Sequence, residues 1–324
     1  MQKNYIYAAG GLLLAGLLAA LLVVGSEKGW FKRFGSASNA PAAPADAAGL
    51  AKPRALAFGP DGSLFIVDSK NNRIEKRNAQ GMMTLRFGKD GNGEGQLHEP
   101  CGIAVGADGM VYVADTFFSM DPNHGLPWGR IEKFSSDGMF AGAWGKVPVA
   151  PNDLFGPRAV AIDSKGNLYM SDTGNHRVVK YSSGGSFLKA WGKKGKAVGE
   201  FIEPFGITCD KNDRVYVADR MNFRIQIFDS EGKALSQFKV NGWEESQINQ
   251  EPYLAVDNKK GVIFVSDPTK GKVLKYSLAG SFIKSYDTAS EGKLAQPTGL
   301  AFRDSDGTLF VSDGSLARIM TIKP

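Results

Sequence analysis

Arg54 and Arg158 occupy one recurring slot, the position after a proline that opens an apolar run, and Phe205 and Tyr253 hold the same slot further along the chain. A guanidinium presents its donors as a planar fork. Two arginines flanked by aromatic rings therefore suit a carboxylate or another small anion. An internal use competes with this, because Glu99, Glu203, Glu251 and Asp153 stand close to the same prolines and are available to pair with the arginines. Cys101 and Thr298 fill the remaining two slots.

Other chemistry-bearing residues are sparse. Asp68, Asp115, Asp172, Asp219, Asp267 and Asp313 each close an apolar run, and Arg73, Arg130, Arg177, Arg224, Lys272 and Arg318 follow them. A carboxylate ending one strand and a cation starting the next, repeated six times, reads as turn bracing, since a catalytic residue has no reason to recur in every copy. The only histidines are His98, His124 and His176. No nucleophile–base pair and no phosphate-binding glycine loop stands out. Cys101 and Cys209 fall in different copies, at opposite ends of equivalent strands, which disfavours a disulfide between them. Neither belongs to a metal-spaced cluster, so no cofactor or metal is expected.

The elements that position these residues follow from the repeat. The prolines at 53, 100, 157, 204, 252 and 297 are spaced 47, 57, 47, 48 and 45 residues apart, a period that signals a solenoid or a propeller. In the third copy, four short runs (residues 159–162, 168–171, 177–181 and 187–191) are separated by Gly-, Asn- and Ser-rich turns. Such punctuation predicts a four-stranded antiparallel meander. One meander cannot bury both faces alone; six arranged radially can. The residue after each proline then rings the channel mouth, and Phe87, Trp144 and Trp191 are expected to pack between blades.

Gly-Ile-Ala-Val, Val-Tyr-Val-Ala-Asp, Asn-His-Arg-Val and the Phe-x-x-x-Trp-Gly of residues 187–192 closely resemble the NHL repeat of six-bladed β-propellers, over about residues 50–324. The resemblance implies an all-β six-bladed propeller and leaves function open, because the fold hosts enzymes, RNA binders and adaptors. Amidating lyases of similar fold hold zinc with three histidines near the channel. Here His176 matches a position that carries a ligand in those enzymes, but the slot after the repeat proline holds no histidine in any copy. Calcium-dependent lactonases need a channel ring of acids and amides, whereas these inner runs are mostly Ala, Ile, Leu and Val.

The repeat is interrupted once. Ten extra residues lie between Asp115 and Arg130, in the segment 116–129. It carries Phe117, Phe118, Met120, His124 and Trp128, and large apolar groups in a loop commonly anchor a partner. The alternative is a loop folded over its own blade to cover the channel mouth.

The chain ends after the third run of the sixth copy, so that copy lacks its fourth strand. Upstream, Trp30-Phe31-Lys32-Arg33-Phe34-Gly35 aligns with Phe187–Gly192 and with Met83–Gly88. From Gly88, Gly145 and Gly192 to the next repeat proline is 12 residues, and from Gly35 to Pro53 it is 18, the surplus falling in an Ala/Pro-rich stretch. Residues 30–35 are thus expected to supply the outer strand of the last blade; a basic–aromatic stretch at a lipid interface is the competing reading. Residues 4–26 carry no charge, which is long enough for a membrane-spanning helix and reads as an uncleaved signal anchor over 1–27, against a cleaved signal peptide. Gly11, Ala15 and Ala19 line one face at four-residue spacing and suit close packing with another membrane helix.

Formal charge is +6, of which residues 1–35 supply +3, leaving 35 basic against 32 acidic residues in the propeller. That balance lacks the basic footprint of nucleic-acid binding. The expected organisation is an anchor over 1–27, a closing strand and linker over 28–52, and a propeller over 53–324. The expected function is a non-catalytic, membrane-anchored module on the extracytoplasmic side, binding a protein partner (a membrane subunit among the candidates) or a small anion. The alternative is a metal-dependent lyase or lactonase acting at the channel mouth.

Overall fold

A computed structural model describes residues 49–117, 128–145, 154–244 and 251–324. The expected anchor and closing strand, with Gly11, Ala15 and Ala19, lie outside them. Among the described residues no helix is long and apolar enough to cross a membrane.

The chain builds six antiparallel meanders in sequence order. The first blade comprises β1 (Pro53–Phe58), β2 (Leu64–Asp68), β3 (Arg73–Arg77) and β4 (Met83–Phe87). The second comprises β5 (Pro100–Val105), β6 (Val111–Phe117), β7 (Trp128–Phe134) and β8 (Phe140–Trp144). The third comprises β9 (Pro157–Ile162), β10 (Leu168–Asp172), β11 (Arg177–Tyr181) and β12 (Phe187–Trp191). In the fourth are β13 (Pro204–Cys209), β14 (Val215–Asp219), β15 (Arg224–Phe228) and β16 (Ala234–Lys239). The fifth holds β17 (Leu254–Asp257), β18 (Val262–Asp267), β19 (Lys272–Ser277) and β20 (Phe282–Tyr286), followed by a small hairpin of β21 (Thr288–Ala289) and β22 (Gly292–Lys293). In the sixth, the described residues form β23 (Pro297–Arg303), β24 (Thr308–Asp313) and β25 (Arg318–Ile322).

The six first strands stand side by side in a closed ring, since β1 neighbours β5 on one side and β23 on the other. Small residues let them approach. A Cβ on Gly299 would stand 2.1 Å from the Arg54 carbonyl oxygen, and one on Gly102 would stand 2.7 Å from Ala159 Cα. Each first strand begins beside the end of its second, as Pro53 opposite Asp68 shows, so all six begin at one end of the channel, the mouth.

Packing between blades uses the aromatic that closes each outer strand. Phe87, Trp144, Trp191 and Phe238 meet Phe134, Tyr181, Phe228 and Tyr276 of the next blade at centroid distances of 5.0, 6.3, 5.9 and 5.1 Å. Such pairs contribute about 0.5–1.5 kcal/mol each beyond their buried area. The expected packing role of Phe87, Trp144 and Trp191 is what the structure shows.

The repeated aspartates brace turns, though not uniformly. Asp68, Asp115, Asp172 and Asp219 accept from Arg73, Arg130, Arg177 and Arg224 at 2.7–3.0 Å. Each also accepts a backbone N–H from the loop entering its blade, from Ala51, His98, Phe155 and Ile202 respectively. The last two blades differ. Asp267 accepts from the Lys270 N–H, while Asp313 takes the N–H groups of Ala295, Gln296 and Leu316 and Arg318 turns to Glu291. The β21–β22 hairpin brings Glu291 to Arg318, which explains the exchange in the sixth blade.

Candidate functional site at the channel mouth

The residues after the repeat prolines do converge, and they fill the mouth with one another. Arg54 Nη1 donates to Cys101 Sγ at 2.6 Å, and Arg158 Nη1 approaches the same sulfur at 3.4 Å. Glu251 lies between the two arginines, 2.9 Å from Arg54 Nε and 3.8 Å from Arg158 Nη1. The Tyr253 hydroxyl donates to the Cys101 carbonyl at 2.8 Å, and its ring meets Phe205 edge-on at 5.7 Å. The Arg158 guanidinium lies 5.8 Å from the Phe205 ring centroid, in the range of a cation–π contact. Thr298 turns to the Pro53 carbonyl and Ser312 instead.

Electrostatics favour pairing within the cluster, although Arg54 Nε and Glu251 Oε2, 2.9 Å apart, are not aligned as a hydrogen bond and have no other partner among the described residues. Burial opposes the Arg54 charge, but Cys101 and Glu251 beside it hold its pKa above the usual guanidinium value. The same balance raises Arg158. Burial, then Cys101 and Glu251, push Tyr253 well above the usual phenol range, so it stays a donor. The slot residues thus meet partners from within the chain: Arg54, Phe205 and Tyr253 are buried, and Glu251 lies against both arginines. Glu251 was one of several acids available for this pairing, and only the folded ring selects it.

Below the cluster runs a cavity of about 440 Å³, lined by all six first strands, among them Leu56, Ile103, Val160, Ile207, Leu254 and Leu300. Cys209 and Asn258 lie toward its other end. Both cysteines are free thiols. Burial and the neighbouring Asp163 and Asp213 raise the Cys209 thiol well above its usual value.

The histidines in the described residues brace loops. His176 Nδ1 accepts the Glu203 N–H at 3.1 Å, as Asn72 Oδ1 accepts the Glu99 N–H at 2.9 Å one blade pair earlier. Burial and Lys194 keep the His176 pKa below the usual imidazole value. His98 Nδ1 lies 2.8 Å from Asp90. Among the described residues no group of three His, Cys, Asp or Glu side chains could hold a metal ion. One device escaped sequence reading: Ser171, Ser266 and Ser312 stitch second strands to first strands through the N–H groups of Ala159, Tyr253 and Gly299. A Ser-Asp pair in three copies was its signal.

The interruption of the repeat stands at this same end. Beyond Asp115 opposite Arg130, the β6–β7 ladder continues through Thr116–Gly129 to Phe117–Trp128, where the first, third and fourth blades turn through a single 3-10 turn such as Thr173–Asn175. Thr116 Oγ1 donates to the Pro157 carbonyl, and a Cβ on Gly129 would strike the Pro157 ring. The hairpin is thus rooted beside Arg158. Phe118, Met120 and His124 lie outside the described residues, and of Phe117 and Trp128 only the backbone pairing is described.

A closed ring of six such meanders, with a mouth packed by its own side chains, defines a β-propeller. The chain is an NHL-repeat six-bladed β-propeller: the NHL repeat profile matches residues 156–181, and a 6-bladed β-propeller profile matches residues 207–292. No curated protein matches the sequence. Among solved structures it resembles a streptogramin B lyase, with 18% identity, a TM-score of 0.56 and coverage of 84% of this chain and 78% of that one. It also resembles a gluconolactonase from Xanthomonas campestris (15% identity, TM-score 0.60, coverage 84% and 87%) and virginiamycin B lyase from Staphylococcus aureus (16%, 0.55, 84% and 80%). At these identities the likeness concerns the fold alone.

Proposed function

We propose that this propeller is a membrane-anchored interaction or assembly module without chemistry of its own, held by the apolar segment 4–26 with the propeller on the extracytoplasmic side. One observation carries the reading: at the mouth, the slot residues Arg54, Arg158, Phe205 and Tyr253 spend their polar and aromatic groups on Glu251, Cys101 and one another. A ligand there would have to displace a buried ion pair. Partner contact then falls to the rim, where the β6–β7 hairpin rises beside Pro157 and leads into residues 118–127 with their Phe118, Met120 and His124. A protein partner, such as a membrane subunit, fits that apolar content better than a small anion does.

The full chain, extracted in mild detergent, tests this by affinity capture and mass spectrometry beside a variant in which Asn-Gly replaces residues 118–127. A protein recovered with the first and lost from the second, at equal melting temperature, supports the module. Identical recovery from both overturns the rim as the contact.

The second reading is an enzyme, favoured by the fold likeness to a streptogramin B lyase and a gluconolactonase. Stoichiometric zinc or calcium in the purified protein would favour it and count against the module.

A further inference from the structure

The end of the propeller opposite the mouth gathers exposed apolar side chains. Every first strand starts at the mouth and each blade is an antiparallel meander, so the fourth strands start at the far end. The first-to-second and third-to-fourth turns lie at that end as well. Among the described residues, large exposed hydrophobic groups collect there: Met83 in the first blade, Met139 in the second, Phe187 in the third, Leu235 in the fourth, and Phe282 and Ile283 in the fifth. Each begins a fourth strand or stands within one residue of its start. At the mouth end such groups are scattered singly, as Val198, Met221 and Leu316 are in separate loops. Apolar groups gathered on one face mark a surface that meets a partner.

The fifth blade adds positive charge to this face. Lys259 and Lys260 occupy its first-to-second turn, and Lys275 of β19 lies directly opposite Lys284 of β20. In the first three blades the equivalents of Lys275 are fastened to the next blade. Lys76, Lys133 and Lys180 donate to the carbonyls of Ser136, Ser183 and Ser230 at 3.3, 3.1 and 2.8 Å. Here Lys260 takes the corresponding carbonyl, that of Pro324, at 3.4 Å, and Lys275 rests over the Phe264 ring at 5.7 Å. Burial and Lys260 hold the Lys275 pKa below the usual ammonium value; Asp257 opposes them and Lys284 adds to the depression. Acids in the nearby turns are engaged, since Asp257 accepts the Lys259 and Lys260 N–H groups and Asp306 pairs with Arg303 and Lys323. On the other flank of the blade, a groove of about 550 Å³ is lined by Ile227, Leu235, Leu278 and Ala279, among others.

We propose that this end of the propeller lies against an anionic lipid surface, with Leu235, Phe282 and Ile283 entering the headgroup boundary and Lys260, Lys275 and Lys284 meeting lipid phosphates. Two observations select lipid over protein. The apolar groups are spread over five of the six blades, so a planar partner meets them together where a globular one covers a sector. The lysines border them, as on interfacial surfaces that bury apolar groups and hold cations at headgroup level. The inference deepens the membrane reading above and rests on it, and it directs the mouth and its β6–β7 hairpin away from the bilayer.

The full chain, moved from detergent into vesicles containing a nitroxide-bearing lipid, tests this. The vesicles are phosphatidylcholine alone or mixed with phosphatidylglycerol. Cys209→Ala removes the half-buried thiol and leaves Cys101, which is fully buried. A fluorophore is then attached through Ile283→Cys at the far end or Leu316→Cys at the mouth. In the mixed vesicles, quenching at 283 is expected to exceed that at 316 several-fold. Lys260→Gln, Lys275→Gln and Lys284→Gln together are expected to lower the docked-to-undocked ratio about a hundredfold, about fivefold per lysine, at unchanged Tm. Equal quenching at the two positions overturns the inference, as does quenching at 283 that ignores lipid charge and the lysines. Protection of position 283 by a co-purifying protein in detergent would assign the face to that protein and also overturn it. Resistance of the vesicle-bound chain to alkaline carbonate is read separately: its loss with quenching at 283 retained counts against the anchor and leaves docking standing.

Discussion

Arg54 and Cys101, each the first residue past the proline of its blade, meet at 2.6 Å between Nη1 and Sγ and tie the first two blades together across the mouth. Cys101 is fully buried. Replacing it with Val adds one methyl group and leaves a buried guanidinium donor without its acceptor, the latter at a cost of about 1–3 kcal/mol. Serine retains an acceptor and is expected to cost less. Urea unfolding of the two variants checks the order; equal destabilisation would show that packing, and not the hydrogen bond, decides.

Glu251 is the carboxylate shared by Arg54 and Arg158. Glu251→Gln leaves two neighbouring cations under-compensated, one of them buried, and is expected to destabilise by about 2–4 kcal/mol. Adding Arg158→Gln removes one of those cations and should recover part of the loss. A double variant no more stable than the single one would refute the shared pairing.

Asp115 gives a pH dependence of definite sign. Burial raises its pKa to about 7, with Arg130 and the His98 N–H opposing the rise. Between about pH 4 and 7 the folded protein keeps a proton that the unfolded chain has released. This contribution is complete below about pH 4 and is lost as pH rises through 7. Asp115→Asn removes it, so the stability difference between the native protein and the variant should shift against the native protein by about 2–4 kcal/mol from pH 5 to pH 8. Denaturant titrations at both pH values measure this, and a constant difference would contradict it.

Gly299 marks the seam where the sixth blade meets the first. A Cβ there would lie 2.1 Å from the Arg54 carbonyl oxygen and 2.8 Å from Ala55 Cα, both backbone atoms. Gly299→Ala is expected to cost about 1–3 kcal/mol. Gly184→Ala, whose Cβ would meet only the Ser182 hydroxyl at 3.8 Å, should be close to neutral. Thermal melts of the pair make the comparison.

The repeat made the blades legible because alternation and turn glycines act locally. In the third blade the expected runs 177–181 and 187–191 coincide with β11 and β12. The ring of residues after the prolines was legible for the same reason, since a fold with known periodicity places one slot at one radius. What that ring does was not. Glu251 lies far along the chain from both Arg54 and Arg158, and no local pattern ranks it above Glu99 or Glu203. The bracing pair failed in the sixth blade because the β21–β22 hairpin, a departure from the repeat, supplies Glu291 as a rival for Arg318. The serine stitches were overlooked because a hydroxyl beside an aspartate looks like surface until the second strand is known to be buried.

The contacts at the mouth also change how the ring comes apart. In a linear repeat array each unit touches its neighbours only, and stability is close to a sum of local terms. Here Glu251 at the start of the fifth blade holds arginines of the first and third, and Tyr253 donates to the second. Detaching any one of those blades strips a partner from groups on blades that are not adjacent to it. Partially opened forms are thereby penalised from across the axis, and unfolding becomes a property of the whole circle: a hub that couples repeats which the chain order keeps apart.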